Sequence, residues 1–499
     1  MTISALAQRA APAFILVGAF LPSAMPAQSA ASQSSPADAA LTVLSAKIDA
    51  LSNSLDETRA ELSAARAEIR ELHNQLHGEA ASTSSNSAAT SLSAQVATLE
   101  EQQQVLESQV QQHEQTKVET VSKYPVRLTG LLLFNALRTE GAVDNPYAPT
   151  FAVPPYQSNV HGSLQGTVRQ SILGLNARGP VLAGASTSAD VATDFFGGLA
   201  NYGSNTNMSA YDEFVRLRSF HVRIDWPDTQ VAFSYDHPII SPHTPASLSA
   251  VGVPALAWSG NLWNWQPQLT ARNRLTIGGD QKLEFAAGLM DVPDPPSFAS
   301  GLSAAERSRY PGSEARIGYL RQHSEYGETS FGIGGYFSPH NYGYDGSVNA
   351  WAITADYSIP LPAHLALTGL IYRGAALGGL GGGTYKDVVS IPGNSGENYL
   401  EALHDAGGWS QVKFAPARRL EFNAAYGIDN GDANQLRTAS YPSSTYTALA
   451  RNQTTYGNII YRPSAYLLFS GEFRYVRSWP IYDAATSAQI YSLSTGYQF

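Results

Sequence analysis

A strict alternation of apolar and polar residues constrains this chain more than any other feature, and it is clearest in the last thirteen residues, 487–499. A period of two predicts a β-strand with one apolar face. No helical pattern nearby would cover that face, so we expect it to face lipid; the alternative is an edge strand of a soluble sandwich. The residues on the alternating face are Tyr491, Leu493, Thr495, Tyr497 and Phe499.

Similar segments recur along residues 124–499, separated by connections that are alternately long and short. The short connections contain turn-forming Gly, Pro or Asp, and the long ones are rich in Gly, Pro, Ser and Asn. The predicted strands are 126–137, 162–177, 182–195, 214–226, 229–236, 267–277, 282–290, 314–324, 328–337, 347–358, 364–373, 407–415, 419–428, 451–461, 465–477 and 487–499.

This pattern predicts an all-β transmembrane antiparallel barrel of about sixteen strands, because short turns at one rim and long loops at the other are typical of outer-membrane barrels. An even number of strands brings both ends of the barrel to the short-turn, periplasmic side. The domain boundaries we expect are a barrel over 124–499 and a separate region before it.

Two features are predicted before the barrel. Residues 1–27 contain Arg9, a short apolar run and small residues, which predicts a secretory signal peptide. Residues 28–123 predict a periplasmic α-helical coiled coil with a Ser-rich break at 78–91; the alternative is a single amphipathic helix lying on the barrel or membrane. The main heptad positions are Leu41, Ile48, Leu55, Leu62, Ile69 and Leu76.

Composition excludes several classes of protein. Charged residues are only 14%, and no apolar run is long enough for a membrane-spanning helix. The chain has no cysteine, which excludes disulfides and thiolate metal sites. A net charge of −10 gives no support to nucleic-acid binding. No catalytic motif, phosphate loop or clustered histidine pair is present, so we expect no enzyme activity, no cofactor and no metal.

Arginines on the polar faces of the predicted strands are the candidate functional residues. Residues 124–499 contain only three lysines, so arginine supplies most of their positive charge. The apolar residues of strand 214–226 change their alternating phase near Ser219. A bulge there would keep the apolar residues on both sides of it outside and turn the polar residues inward. A ring of arginines in a pore selects anions; the alternative is that each arginine only pairs with an acid across the interior. The candidate pore-lining residues are Arg169, Arg216, Arg218, His221, Arg223, Arg272, Arg274 and Arg316.

The third long loop, 237–266, is rich in proline and carries Trp258, Trp263 and Trp265. Long loops usually stay outside a barrel, but a stiff loop of this kind can fold inward and narrow the channel. We therefore expect a constriction loop here, with capping of the barrel rim as the alternative for the tryptophans.

The periplasmic coiled coil, the sixteen strands, the arginine-bearing strand that runs into Trp226 and the closing residues 496–499 (GYQF) together resemble the DcaP-like trimeric outer-membrane porins. The resemblance covers about residues 40–499 and is strongest locally at 214–240. It implies homotrimeric barrels that take up small anions, notably dicarboxylates, and that Arg216, Arg218 and Arg223 face the lumen. The broken heptad at 78–91 departs from a continuous stalk.

Three functions are consistent with the sequence. The first is a bacterial outer-membrane porin through which small anionic solutes diffuse passively. The second is a tether in which the coiled coil contacts the cell wall. The third is a sugar channel, since abundant Tyr and Trp side chains stack on sugar rings.

Overall fold

The computed structural model describes residues 125–154, 161–197, 214–295, 301–323, 327–343, 346–393, 397–439 and 449–499. The predicted signal peptide (1–27) and the predicted coiled coil with its break (28–123) lie outside the described residues and stay predictions. Among the residues that are described, none forms a helix long and apolar enough to cross a membrane.

The described chain forms one closed antiparallel β-barrel. Successive positions in the wall follow the order of the chain, and the first strand pairs with the last, so no strand edge is left open. The strands of the barrel are β1 Val126–Glu140, β2 Gly162–Thr167, β3 Ile172–Leu182, β4 Ala185–Gly197, β5 Phe214–Asp225, β6 Thr229–Asp236, β7 Gln266–Gly278, β8 Gln281–Met290, β9 Gly312–His323, β10 Gly327–Asn341, β11 Ser347–Leu361, β12 Leu365–Ala375, β15 His404–Ala417, β16 Leu420–Gly431, β17 Leu449–Tyr461, β18 Leu467–Pro480 and β19 Thr486–Gln498.

These seventeen strands occupy sixteen positions in the wall. β2 pairs with Asn135–Glu140 of β1 and β3 pairs with Val126–Leu131, so the two share one position. The strand predicted at 162–177 is therefore broken at 168–171, which corrects the prediction of one continuous strand. Ser171 makes up for the break, because its hydroxyl accepts a hydrogen bond from the Leu133 amide at 2.9 Å. The predicted sixteen-position barrel is confirmed.

The alternation seen in the sequence separates the outer surface from the interior. In β8 and β18 every second residue is buried, and the residues between them are exposed or half-buried. Large apolar side chains are exposed on the outside all round the wall. Examples are Leu128, Phe134, Leu175, Leu217, Phe233, Leu275, Phe285, Ile317, Ile333, Ile353, Ile371, Val412, Ile459, Phe473 and Leu493.

The connections at the two rims differ, as predicted. Turns of two or three residues follow β3, β5, β7, β11 and β15, whereas the connections at the other rim are longer. The long connections contain the short helices α1 Ala304–Ser308 and α2 Ala433–Thr438 and a separate hairpin of β13 Val388–Pro392 and β14 Asn398–Ala402. The sequence predicts a long loop here and no hairpin.

Candidate functional site in the barrel interior

The segment 237–265, between β6 and β7, lies inside the barrel; we call it the inward loop. Its hydrogen bonds reach inward-facing residues on the opposite wall. The Ala246 amide donates to Gln411 Oε1 at 2.7 Å, and the Ser249 hydroxyl donates to Glu472 Oε1 at 2.6 Å. Further along, the hydroxyls of Ser259 and Thr454 lie 2.8 Å apart. The loop therefore crosses the interior from β6 to β15, β17 and β18.

Inward-facing glycines let the loop lie directly on the wall. A Cβ at Gly427 of β16 would overlap the carbonyl oxygen of Ser259, and one at Gly334 of β10 would lie 2.8 Å from Ile240 Cγ2. From the loop side, Gly260 has a φ of +94°, and a Cβ there would overlap the carbonyl of Gly408. The glycine phase of these strands thus gives room for close backbone contact.

The three tryptophans of the loop are buried, with exposures of 4 to 8%. The Trp258 ring stacks on Tyr385 with a centroid separation of 3.5 Å, and Trp263 packs edge-on against Trp258 and Trp265 at 6.0 and 5.3 Å. Phe151 and Leu449 complete the cluster. The tryptophans hold the inward loop against neighbouring loops, and other residues border the remaining space.

Arg216 and Arg218 of β5 connect the wall to the inward loop. The Arg216 guanidinium binds Asp194 of β4 with two hydrogen bonds, of 3.0 and 2.7 Å, and its Nη2 also donates to the Gly252 carbonyl at 2.5 Å. Arg218 lies 3.7 Å from the same Asp194 and donates to the Val251 carbonyl. Both guanidinium groups lie about 5 Å from the Trp265 ring centroid, at cation–π distance.

The predicted bulge in β5 is present. The register between β4 and β5 shifts by one residue, so that Ser219 faces Ala192 and Leu217 faces Thr193. Arg218 is the extra residue. The shift keeps Leu217 and Phe220 exposed on the outer surface while Arg216 and His221 point inward.

His221 and Arg223 lie further along β5, towards the short turns. His221 Nδ1 is 2.7 Å from Asp190 Oδ2 and its Nε2 is 2.9 Å from Asp236 Oδ2. Arg223 forms an ion pair with the other oxygen of Asp190. His237, the first residue of the inward loop, binds Asp236 Oδ1 through Nδ1 at 2.8 Å.

Arg272, Arg274 and Arg316 form a second group on β7 and β9. All three lie within 4 Å of Glu284 of β8, with separations of 3.8, 2.8 and 3.2 Å. The buried Arg316 also binds both oxygens of Asp356 of β11. The side chains of Arg272 and Arg274 are 34% and 49% exposed, so this group is open to water on one side.

Arg169 differs from the other predicted residues, because it lies in the 168–171 break and is only 1% exposed. Its guanidinium carbon lies 5.1 Å from the Tyr147 ring centroid. It packs beneath the loop after β1, and its assignment as a pore-lining residue stays a prediction.

The acids that hold the arginines were missed by the sequence analysis. Asp190, Asp194, Glu284 and Asp356 lie on strands next to, or two positions from, the arginines that they bind. Each occupies the polar phase of its strand. The polar phase of a strand predicts that such an acid faces inward. It does not predict which arginine the acid binds, because that depends on the register between neighbouring strands.

Two loop groups outside the strands have pKa values shifted by burial. The Lys386 ammonium donates at 2.7 Å to the Thr384 and Leu449 carbonyls, and burial lowers its pKa to about 7. Burial raises the pKa of Asp144 to about 6, although the Thr150 hydroxyl donates to it at 2.6 Å. Within the described chain no group of three His, Cys, Asp or Glu residues is arranged to hold a metal ion.

Neither known protein-family models nor curated protein sequences match this chain. Solved structures do. The outer membrane channel DcaP of Acinetobacter baumannii aligns over 76% of this chain and 99% of its own, with a TM-score of 0.56 and 16% identity. An anion-selective porin from Comamonas acidovorans aligns over 76% of this chain and 100% of its own, with a TM-score of 0.45 and 10% identity. The loop L8 deletion mutant of OmpT from Vibrio cholerae aligns over the same shares, with a TM-score of 0.42 and 12% identity. The barrel of this chain therefore has the fold of the DcaP outer membrane channel.

Proposed function

We propose that this protein is a porin of the bacterial outer membrane through which small anionic solutes, such as dicarboxylates, diffuse passively. The inward loop narrows the path, and the arginines of β5, β7 and β9 set its charge preference. The proposal also includes homotrimeric assembly and a coiled coil in the periplasm.

The observation that carries the charge preference is an unequal count of charges in two clusters of the interior, one on β5 and one on β7 and β9. Arg216 and Arg218 share Asp194, whereas Arg272, Arg274 and Arg316 share Glu284 and Asp356. Five arginines thus face three carboxylates, which leaves a formal surplus of two positive charges. Positive charge in a narrow pore lowers the barrier for anions.

The outer surface supports the membrane location. Exposed Leu, Ile, Val and Phe side chains surround the wall, and lipid is the solvent that such a surface requires. The pairing of Leu131 with Gln498 puts both ends of the barrel at the rim with short turns. Val126, where the first strand begins, therefore lies at that rim, as a periplasmic coiled coil before the barrel would require.

A sugar channel finds less support. Sugar stacking requires aromatic faces that are open to the channel, but the tryptophans of the inward loop are buried against one another and against Tyr385. The tether function depends on the segment before the barrel, outside the described residues.

The test is the reversal potential of the purified protein in a planar bilayer under a salt gradient. Replacing both partly exposed arginines, Arg272→Gln with Arg274→Gln, leaves Arg316 to pair with Glu284. We expect discrete channels that prefer anions in the wild type and a severalfold lower anion-to-cation permeability ratio in the double variant. Permeation of a four-carbon dicarboxylate into liposomes should fall in parallel.

Arg321→Gln is the matched control, because Arg321 is exposed beside a short turn and pairs with Asp280 at 2.9 Å. Its removal changes the total charge without changing the interior. A cation preference in the wild type, or an equal effect of the control, would contradict the proposal.

A further inference from the structure

A continuous chain of hydrogen bonds lies where the inward loop leaves the wall. It runs from Asp190 of β4 through His221 of β5 to Asp236, the last residue of β6, and then to His237 of the loop. The three separations are 2.7, 2.9 and 2.8 Å. The chain therefore links two wall strands and the start of the loop.

The number of protons on His221 decides how many of these hydrogen bonds form. Each ring nitrogen faces a carboxylate oxygen, and an ionised carboxylate only accepts hydrogen bonds. When both aspartates are ionised, both hydrogen bonds therefore form only if the ring is an imidazolium. If the ring loses one proton, a nitrogen lone pair faces a carboxylate oxygen, and one of the two hydrogen bonds is lost.

The neighbouring elements supply few other charges. Arg223 binds the second oxygen of Asp190, and Arg218 lies near enough to Asp236 to interact with it electrostatically. From β7, uncharged Gln266 and Gln268 lie opposite Asp236 and Ser234. From β3, Asn176 lies opposite Asp190. His221 is thus the group that bridges the two aspartates, and the charge on its ring acts on both of them.

This chain of hydrogen bonds is in contact with interior water. The side chains of Asp236 and His237 are about one-third exposed, and those of Arg223 and Asp190 are partly exposed. His221 lies on the same strand as Arg218 and Arg216, three and five residues away along β5, so a change in its charge acts on the same space.

We propose that His221 is a specificity-determining residue of the path, and that its proton sets how strongly the path prefers anions. The inference rests on the proposed function and adds a proton dependence to it. With the imidazolium in place, Asp190 and Asp236 are balanced by His221 and Arg223. Without it, the start of the inward loop carries one positive charge fewer and attracts anions less strongly.

The test compares reversal potentials of the full-length wild type and His221→Gln from pH 5 to pH 9 in the same bilayers. Imidazoles usually titrate within this range. We expect the anion-to-cation permeability ratio of the wild type to fall severalfold as the pH rises. The glutamine variant, which carries no titrating ring, should lose most of this dependence.

His364→Gln is the control, because His364 lies in the exposed turn between β11 and β12. It should keep the wild-type pH dependence. Asp236→Asn is a second variant that retains the ring but replaces one carboxylate with an uncharged amide, and its transition should move to lower pH. It tests the inference even where the glutamine variant does not fold.

Two results would overturn the inference alone: an anion preference that does not change with pH, or a dependence that is the same in the wild type and in His221→Gln. A cation preference at every pH would overturn the proposed function, and the inference with it.

Discussion

At the scale of single residues, each of the interior arginines binds at least one acid that is more buried than itself. Asp194 is fully buried and receives hydrogen bonds from Arg216 and from the Phe196 amide. Buried charges are stable only when they are paired, so loss of one partner costs more than the pair contributes. Asp194 is therefore the residue on which the position of β5 relative to the inward loop depends most.

Asp194→Asn should destabilise the barrel by about 3 kcal/mol, because it leaves Arg216 and Arg218 without their carboxylate. The measurement is the free energy of unfolding from urea titrations in lipid vesicles. Asp280→Asn is the matched control, since Asp280 lies in a short exposed turn and binds only the exposed Arg321. Equal stability of both variants would show that the Asp194 pairings contribute nothing.

The sequence predicts which arginines point inward but not what they bind. The polar phase of β5 and its bulge follow from the positions of Leu217 and Phe220 along one strand. Pairing with Asp194 or Glu284 depends on register between strands and on loops that return from distant parts of the chain. For the same reason the burial of Arg169 beside Tyr147 had no local signal.

At the scale of elements, the inward loop is positioned by glycines of the wall as much as by its own prolines and tryptophans. Gly427 and Gly334 face inward in β16 and β10, and each lies beneath a loop residue. A strand interior usually disfavours glycine, so glycine in the inward phase indicates close approach of another backbone. Glycine at inward-facing positions of β10 and β16 is visible in the sequence, and it indicates strands on which the loop lies.

Gly427→Ala should displace the loop, because the new Cβ would overlap the Ser259 carbonyl. We expect a loss of about 1–3 kcal/mol in the free energy of unfolding, as for other overpacked sites. The single-channel conductance should change as well. Gly278→Ala is the control, since it has open space around its Cα and an ordinary φ. Unchanged conductance and stability in Gly427→Ala would mean that the loop does not rest on this glycine.

The strands of the wall were predictable because lipid-facing and interior positions alternate within each strand. The hairpin of β13 and β14 was not predicted, because it lies in a long connection and packs through Val389 against Leu403, Leu436 and Ala450. Loop structure of this kind depends on contacts with other loops. The break at 168–171 also depends on a distant partner, Leu133 of β1.

At the scale of the whole molecule, the fold has an apolar exterior and an interior in which buried polar and charged side chains lie beside apolar clusters. The polar part of the interior contains hydrogen-bonded networks such as Asn423 with Gln411 and Asn458. These networks join the wall strands to the inward loop through Ala246 and Glu472. The stability of such a barrel therefore depends on lipid hydrocarbon at its outer surface, because water does not solvate exposed apolar side chains well.

Arginine substitutions at two depths on the outer surface test this dependence. Ile333 is 67% exposed at the middle of β10, whereas Leu361 is 39% exposed at the last residue of β11, beside a short turn. Ile333→Arg should cost about 2–4 kcal/mol in lipid and Leu361→Arg about 0–1 kcal/mol, because the cost of a charge falls from the bilayer centre to its surface. The measurement is again the free energy of unfolding in lipid vesicles, with the fraction of heat-modifiable barrel in isolated membranes as a second readout. Equal costs at the two depths would mean that the face around Ile333 does not lie in hydrocarbon, and the membrane assignment would then fail for the whole barrel.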